Sequence, residues 1–403
     1  MSTMRAVVLA AGEGRRLRPF TVTMPKVMIQ VGNRPILEHV VRALVAAGIR
    51  DITLLVGYQR ERIMSYFDSG GEFGARISYV AQEHQLGTGH ALSLVPPAEL
   101  EERFLLLPGD NLVGSETLAA FLRDASAKED PALLVTRTEV PSKYGVVEVD
   151  GDRVLELVEK PSLPKTHIVA TGICLLDAGA AALAREAATR GRNDLPSVLG
   201  DLAAKSRLRA VQSAGLWADA VYPWDLVRLN RHALDTSLEG KAGKIESGCT
   251  VKGKVLLGRG SLLRSGCYVE GPAVIGEGCE IGPYVSVLPA TSIGANVVIG
   301  PNTVLKNSLV MDNAVLGAFS YLERSVVGEG ARVGTHFSSS SGGAHVQSED
   351  GFHEVLEIGG IVGGDAVVKD HVSVDPGVVI GYGAHVSSFK RLSRNVGEGA
   401  RVE

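Results

Sequence analysis

The chain has few cysteines, no long apolar run and no excess of either charge. Its four cysteines, Cys174, Cys249, Cys267 and Cys279, show no CxxC metal spacing; in a reducing compartment they read as small core residues. No stretch approaches a membrane span, and Ala6 to Ala11 is too short for the hydrophobic region of a signal peptide. The expected location is therefore cytoplasmic, with no membrane partner. A net charge of -4 and a pI near 6.2 supply no global basic field, which argues against nucleic acid as a ligand. The order of residues also shows no Ser-His-Asp or Cys-His nucleophile arrangement.

What is present suits a two-domain globular protein: 403 residues, 45% hydrophobic and 21% charged. The first part alternates strand-like runs (Ala6–Ala10, DITLLV, RISYVA, FLLLP, ALLVT) with amphipathic stretches. In PILEHVVRALVAAG, Ile36, Val40, Leu44 and Ala47 share one helical face and Gly48 is placed to cap it. QRERIMSYF and SETLAAFLRDA read as further helices. The alternation predicts a Rossmann-like α/β domain with a mixed, mostly parallel sheet and ligands at the carboxyl ends of the strands.

The first such end is RAVVLAAGEGRRLRPFTVTMPK, Arg5 to Lys26. A strand entering a glycine turn exposes backbone N–H groups, and Arg15, Arg16, Arg18 and Lys26 add full charges, so the expected ligand is a phosphate. A dinucleotide fingerprint is a poor rival, because Leu17 stands where its third glycine belongs. No GK[ST] follows for a P-loop. A surface turn of solvated arginines is the remaining bland reading. Asp110, in FLLLPGDNL, and Asp219, in LWADAVYPWDL, follow apolar runs and suit a divalent metal; a helix starting at Pro223 is expected after Asp219. QLGTGHAL places Gly87 and Gly89 at the opening of another helix.

From about residue 240 the pattern changes. Counting in sixes from Ile245 meets Val251, Leu257, Leu263, Val269, Ile275, Ile281, Val287, Ile293, Ile299, Leu305 and Met311, aliphatic or methionine each time. That period predicts a parallel β-helix of hexapeptide repeats over 241–403, after a first domain over 1–240. The register slips after Met311, recovers at Val327 and Val333, and returns from Val362 to Val386. Between the last two blocks, Ser338 to Gly360 reads as a loop leaving the coil. Cys249 and Cys267, eighteen residues apart, should stack in successive coils; interior packing is favoured over a disulfide.

In their order, LAAGEGRRLRP…PK, QLGTGHA, GDN, YGVVEVD, VEKP, TGI and WADAVYPWD resemble the sugar-1-phosphate nucleotidyltransferases over essentially the whole chain. Bifunctional members of that family carry a C-terminal left-handed β-helix. The resemblance implies that Leu9, Ala11 and Gly12 contact a nucleotide through backbone, that Gln82, Gly87 and Thr88 adjoin its base, and that Arg16 and Lys26 neutralise its triphosphate. It places Gly145, Glu159, Lys160 and Thr171 around the sugar phosphate and Asp110 and Asp219 on Mg²⁺. Arg15 departs from the family's usual threonine. The implied reaction joins a sugar 1-phosphate to an NTP, UTP or dTTP by the motifs, with glucose 1-phosphate or N-acetylglucosamine 1-phosphate as acceptor; because β-helix prisms commonly pack their flat faces together, a homo-oligomer, a trimer, is expected.

Two alternatives accompany that expectation. In bifunctional relatives the β-helix acetylates an amino-sugar phosphate, using a histidine in a motif resembling HxxYxGD. The matching stretch here is AFSYLER, where Tyr321 is kept and Ala318 holds the histidine's place, while the serine run Ser338 to Ser341 replaces a later asparagine. The other alternative is a non-catalytic subunit of the same plan, against which intact Arg16, Lys26, Asp110 and Asp219 count.

Overall fold

The computed structural model describes residues 4–100, 102–236, 239–348 and 351–403. It forms two compact units, one of residues 1–13 and 36–218 and one of residues 14–35 and 219–403. The short arginine-rich segment and the residues after 218 thus cluster with the coil, although the hexapeptide coil itself begins near residue 240.

The first unit is built on a nine-stranded sheet ordered Arg76–Ala81, Asp51–Val56, Arg5–Ala10, Arg103–Pro108, Ile168–Asp177, Ala132–Arg137, Arg209–Gln212, Arg153–Glu159, Gly145–Asp150. Pairing is parallel through Arg103–Pro108; Ile168–Asp177 then runs antiparallel to both its neighbours. The sheet is therefore mixed, half parallel and half antiparallel. Helix Ile36–Ala46 turns Ile36, Leu37, Val40, Val41 and Leu44 into the core and ends where Ile49 N bonds Leu44 O at 2.9 Å, beside Gly48. The runs expected as helices are Arg60–Phe67 and Ser115–Ser126.

In the second unit, strands of two or three residues stack into three parallel ladders, the faces of a parallel β-helix. Ile275 pairs Ile293 eighteen residues on, but Ser292 pairs Leu309 seventeen on. This explains the slipped register: Val310, not Met311, fills the core, because one corner has lost a residue after Leu305. A second five-residue step separates Leu322 from Val327. The corners need left-handed backbone, and Asn296, Asn302, Asn307 and Asn313 supply it. Phe319, His336, His371 and Phe389 occupy equivalent corners and stack in a column with centroids 5.1, 4.5 and 4.7 Å apart.

The insertion expected as a loop is instead an antiparallel hairpin, Gly342–Ser348 against Gly351–Ile358. Its strands alternate enough to bury Val346 and Ile358, and His353 lies on the stacked Tyr222–Trp224 pair. All four cysteines are free thiols in packed slots; Cys249 and Cys267 each donate to a carbonyl of the next coil at 3.0 Å.

Leu305 is fully buried in the coil core. Leu305→Ala should cost about 2–5 kcal/mol through lost burial and the cavity left behind. The urea midpoint of the coil's transition reads this directly, and an unchanged midpoint would contradict the packing.

Candidate active site

In the first unit, three parallel strands end side by side, and their next residues are the candidates for nucleotide contact. Leu9 O accepts the Gly109 amide at 2.8 Å, and Ala11 O accepts the Tyr58 amide at 3.1 Å. Asp110 therefore follows directly on a turn tied to the first strand. Gly12 is exposed, with open space where a Cβ would stand. Gly57, which the sequence reading passed over, is hemmed in: a Cβ there would lie 2.8 Å from both Ala11 O and Gln85 Nε2. The structure thus draws Leu9, Ala11, Asp110 and the Gln82–Gln85 turn to one sheet edge.

Gln82 is buried and its amide hydrogens are committed, Nε2 lying 3.0 Å from Gly87 O and 2.9 Å from His90 Nδ1. What it offers a base is its carbonyl oxygen. His90 is a supporting residue that the sequence reading missed, since a lone histidine inside GTGHA carries no signal of its partner. Helix Thr88–Ser93 is pinned to the Asn193–Leu195 turn, with Thr88 Oγ1 accepting the Leu195 amide at 2.9 Å and His90 N bonding Asn193 O at 2.9 Å.

Of the sugar-phosphate candidates, Gly145, Glu159 and Lys160 lie at the other end of the same sheet and Thr171 on its middle strand. Gly145 pairs Glu159, and a Cβ on it would come within 3.1 Å of Glu159 Oε2. Lys160 has its amide on Tyr144 O at 3.0 Å and its ammonium 3.7 Å from Glu159. Thr171 is buried, its hydroxyl donating to Leu134 O at 2.7 Å, while its carbonyl accepts Asn111 Nδ2 at 3.2 Å. Its hydroxyl is thus tied to the neighbouring strand, and its carbonyl orients Asn111, the residue following Asp110. Trp217, quoted in the sequence only within a motif, packs edge-on against Tyr144 at 5.4 Å, and its buried Nε1 has no hydrogen-bond partner among the described residues.

Arg16, Lys26 and Asp219 belong to the second unit. Gly14 sits at φ 74°, where only glycine is relaxed, and a Cβ there would strike Lys26 Cβ at 2.6 Å. Its carbonyl accepts the Leu17 amide and the Thr21 hydroxyl, both at 2.9 Å. Leu17 and Val27 are buried, so the turns Arg15–Leu17 and Lys26–Met28 are anchored while Arg16 stays exposed. Arg15, Arg16 and Arg18 line one side of a cavity of about 480 Å³ whose other side includes Trp224, Ser348 and Glu398. Asp219 is buried, with Arg228 3.6 Å from its carboxylate and 3.1 Å from its carbonyl. The following helix starts at Asp225, two residues later than expected, because the Asp225 carboxylate first ties the Val221 and Tyr222 amides at 2.9 and 2.8 Å.

The nucleotidyl transferase family model matches residues 5–235, and a model of the GMPPB C-terminal domain matches residues 267–353. The bifunctional protein GlmU of Methanocaldococcus jannaschii is 32% identical, over 98% of this chain and 96% of that protein. A glucose-1-phosphate thymidylyltransferase of Streptomyces griseus is 31% identical over 82% of this chain and 93% of its own length. A crystal structure described as a glucose-1-phosphate thymidylyltransferase of Bacillus anthracis, with sucrose, is 27% identical. It superposes with a TM-score of 0.55, covering 59% of this chain and 98% of the other.

Gly87 holds φ 144°, and a Cβ there would fall on the Asn193 carbonyl. Gly87→Ala should push the Asn193 turn away, lower the melting temperature by several degrees and raise the KM for nucleotide by about tenfold or more. Thermal melts and initial rates measure both; a variant with unaltered KM would remove this turn from the nucleotide site.

Proposed function

The chain belongs to the nucleotidyl transferase family and joins a nucleotidyl group from an NTP to a sugar 1-phosphate; we propose UTP or dTTP as nucleotide, glucose 1-phosphate or N-acetylglucosamine 1-phosphate as acceptor, and Mg²⁺ as metal. The single observation that carries the reading is the shared strand edge of Leu9, Ala11 and the Gly109–Asp110 turn. It presents backbone and a carboxylate together, as a nucleotide with its metal requires.

The nucleophile is a phosphate oxygen of the sugar 1-phosphate, already anionic, so no side-chain base is needed. It attacks the α-phosphorus; a P–O bond forms to it and the bond to the leaving pyrophosphate breaks. The protein's task is alignment and charge cancellation. In our assignment the backbone at Leu9, Ala11 and Gly12 holds the nucleotide, and Gln82, Gly87 and Thr88 face its base. Arg16 and Lys26 counter the triphosphate. Gly145 allows the sugar phosphate to approach the Glu159–Lys160 pair, with Thr171 behind them. Asp110 and Asp219 are the metal carboxylates. Two hard carboxylates suit Mg²⁺, which takes one or two together with phosphate oxygens and water, and no group of three or more His, Cys, Asp or Glu among the described residues suggests a softer ion. Bound there, the metal supplies positive charge to the transferring phosphates.

We assign catalysis to residues 1–240 and assembly to the β-helix of 241–403, with a trimer and a cytoplasmic location. No described helix is long and apolar enough to cross a membrane.

Pyrophosphate release from UTP, dTTP, GTP, CTP and ATP against a panel of sugar 1-phosphates tests the substrates; release with none of them sinks the reading. Asp110→Asn and Asp219→Asn should each lower kcat by about a hundredfold or more in folded protein, because several kcal/mol of charge stabilisation depends on each carboxylate. Near-normal rates at limiting Mg²⁺ would refute the metal assignment.

A second activity is raised by one finding and opposed by the residues here: a relative from Sulfurisphaera tokodaii, 29% identical over 98% of this chain, is a bifunctional nucleotidylyltransferase/acetyltransferase. Here Ala318 cannot accept a proton. His336, whose amide bonds Ala318 O one coil on at 2.9 Å, has its ring stacked between Phe319 and His371. With acetyl-CoA and glucosamine 1-phosphate the protein should release no CoA above background, since a lost base removes about a hundredfold to ten-thousandfold of rate. Robust acetyl transfer would make His336 the first residue to replace.

A further inference from the structure

We propose that Asn230 is a positioning residue through which one face of the β-helix holds the segment carrying Arg16 and Lys26, so that the coil serves nucleotidyl transfer directly. The inference rests on the functional reading above and deepens it. The first observation is an outer stripe on one ladder. Val274, Ser292, Leu309, Val326 and Ile361 follow one another in register, each beside a residue that fills the coil core, so their side chains point outward. They are nevertheless buried. At corresponding outward positions of a second ladder Glu280, Val298 and Arg332 are exposed. The apolar stripe is covered within the same compact unit, which contains helix Asp225–Asp235 and residues 14–35.

Asn230, on that helix, is 1% exposed and makes three hydrogen bonds. Its Oδ1 accepts the Gly32 amide at 2.8 Å and the Ser292 hydroxyl at 2.6 Å, and its Nδ2 donates to Ala290 O at 3.1 Å. One side chain thus joins the cation segment, the helix and two points of the coil. Ser292 is the single polar member of the stripe, and Asn230 is what it meets. Two further bonds run from the segment to the coil: Asn33 Nδ2 to Ile293 O at 2.5 Å and Gln30 Nε2 to Asp312 Oδ2 at 3.0 Å. Asp312 is itself fixed by the Ala295 amide at 2.7 Å. Lys26 lies four residues before the first of these anchors, and its side chain packs close against Gly14, whose carbonyl holds the turn that carries Arg16.

The test replaces Asn230 by Ala and, in the coil, Ser292 by Val, and measures pyrophosphate release in the full chain. Because Arg16 and Lys26 face the triphosphate in our assignment, each variant should raise the KM for NTP and lower kcat, by about fivefold to tenfold for lost buried hydrogen bonds. The KM for sugar 1-phosphate, whose candidate residues all lie in the other unit, should stay within about twofold. If Asn230→Ala fails to fold, the milder Gln30→Ala must still raise the NTP KM. A merely structural role would lower thermal stability and active fraction with both KM values unchanged, and that result overturns the proposal. Absence of nucleotidyl transfer in the unaltered chain overturns the functional reading instead, so the two failures are distinct.

Discussion

Two phosphate esters repel as they approach, and the cations that weaken this repulsion repel each other as well. Arg15, Arg16, Arg18 and Lys26 fall within twelve residues, and left to itself such a segment would spread. It is held compact by buried Leu17 and Val27, the Gly14 carbonyl that takes two bonds, the Asn230 junction beneath Gly32 and the ion pair of Arg18 with Glu398. Hydrogen bonding through amides adds no charge that would compete with a bound triphosphate.

The β-helix answers the anchoring problem because its shape is fixed by the backbone. Each coil's amides bond the carbonyls of the next, so position along the ladder is set to within a residue and does not rely on side-chain choice. A side chain mounted on such a ladder, as Ser292 is, has little freedom to drift. The same rigidity explains why one-residue deletions occur only at corners, after Leu305 and after Leu322. A deletion inside a strand would turn every later aliphatic residue from core to solvent.

Much of this was legible in the sequence because it is periodic or local. The six-residue count gave the coil, and the alternation of strand runs and amphipathic stretches gave the first domain. The apolar runs also located the strand ends at which Asp110 and Asp219 stand. What was not legible depends on contacts remote in sequence. Nothing around Asn230 marks it as the partner of Gly32 and Ser292, almost two hundred residues away on one side and about sixty on the other. The hairpin at Gly342–Ile358 was masked by its serine and glycine content, since the turn-forming composition hides the alternation that buries Val346. His90 was hidden for a similar reason: its bond to Gln82 exists only once Gly87 bends the chain back.

Ser292 shows how the two levels meet. Within the hexapeptide repeat it is an unremarked outward residue between Thr291 and Ile293, and the repeat would accept a valine there as readily as it accepts Val274 one coil before. A valine would bury more apolar surface and, by the coil's own logic, serve better. It would also leave Asn230 without the hydroxyl that helps orient its Oδ1 toward Gly32. A serine in an otherwise aliphatic stripe therefore records a demand from outside the repeat, imposed by the helix and the segment that meet it at Asn230. The coil's periodicity accounts for its shape; its exceptions account for what the shape is used to hold.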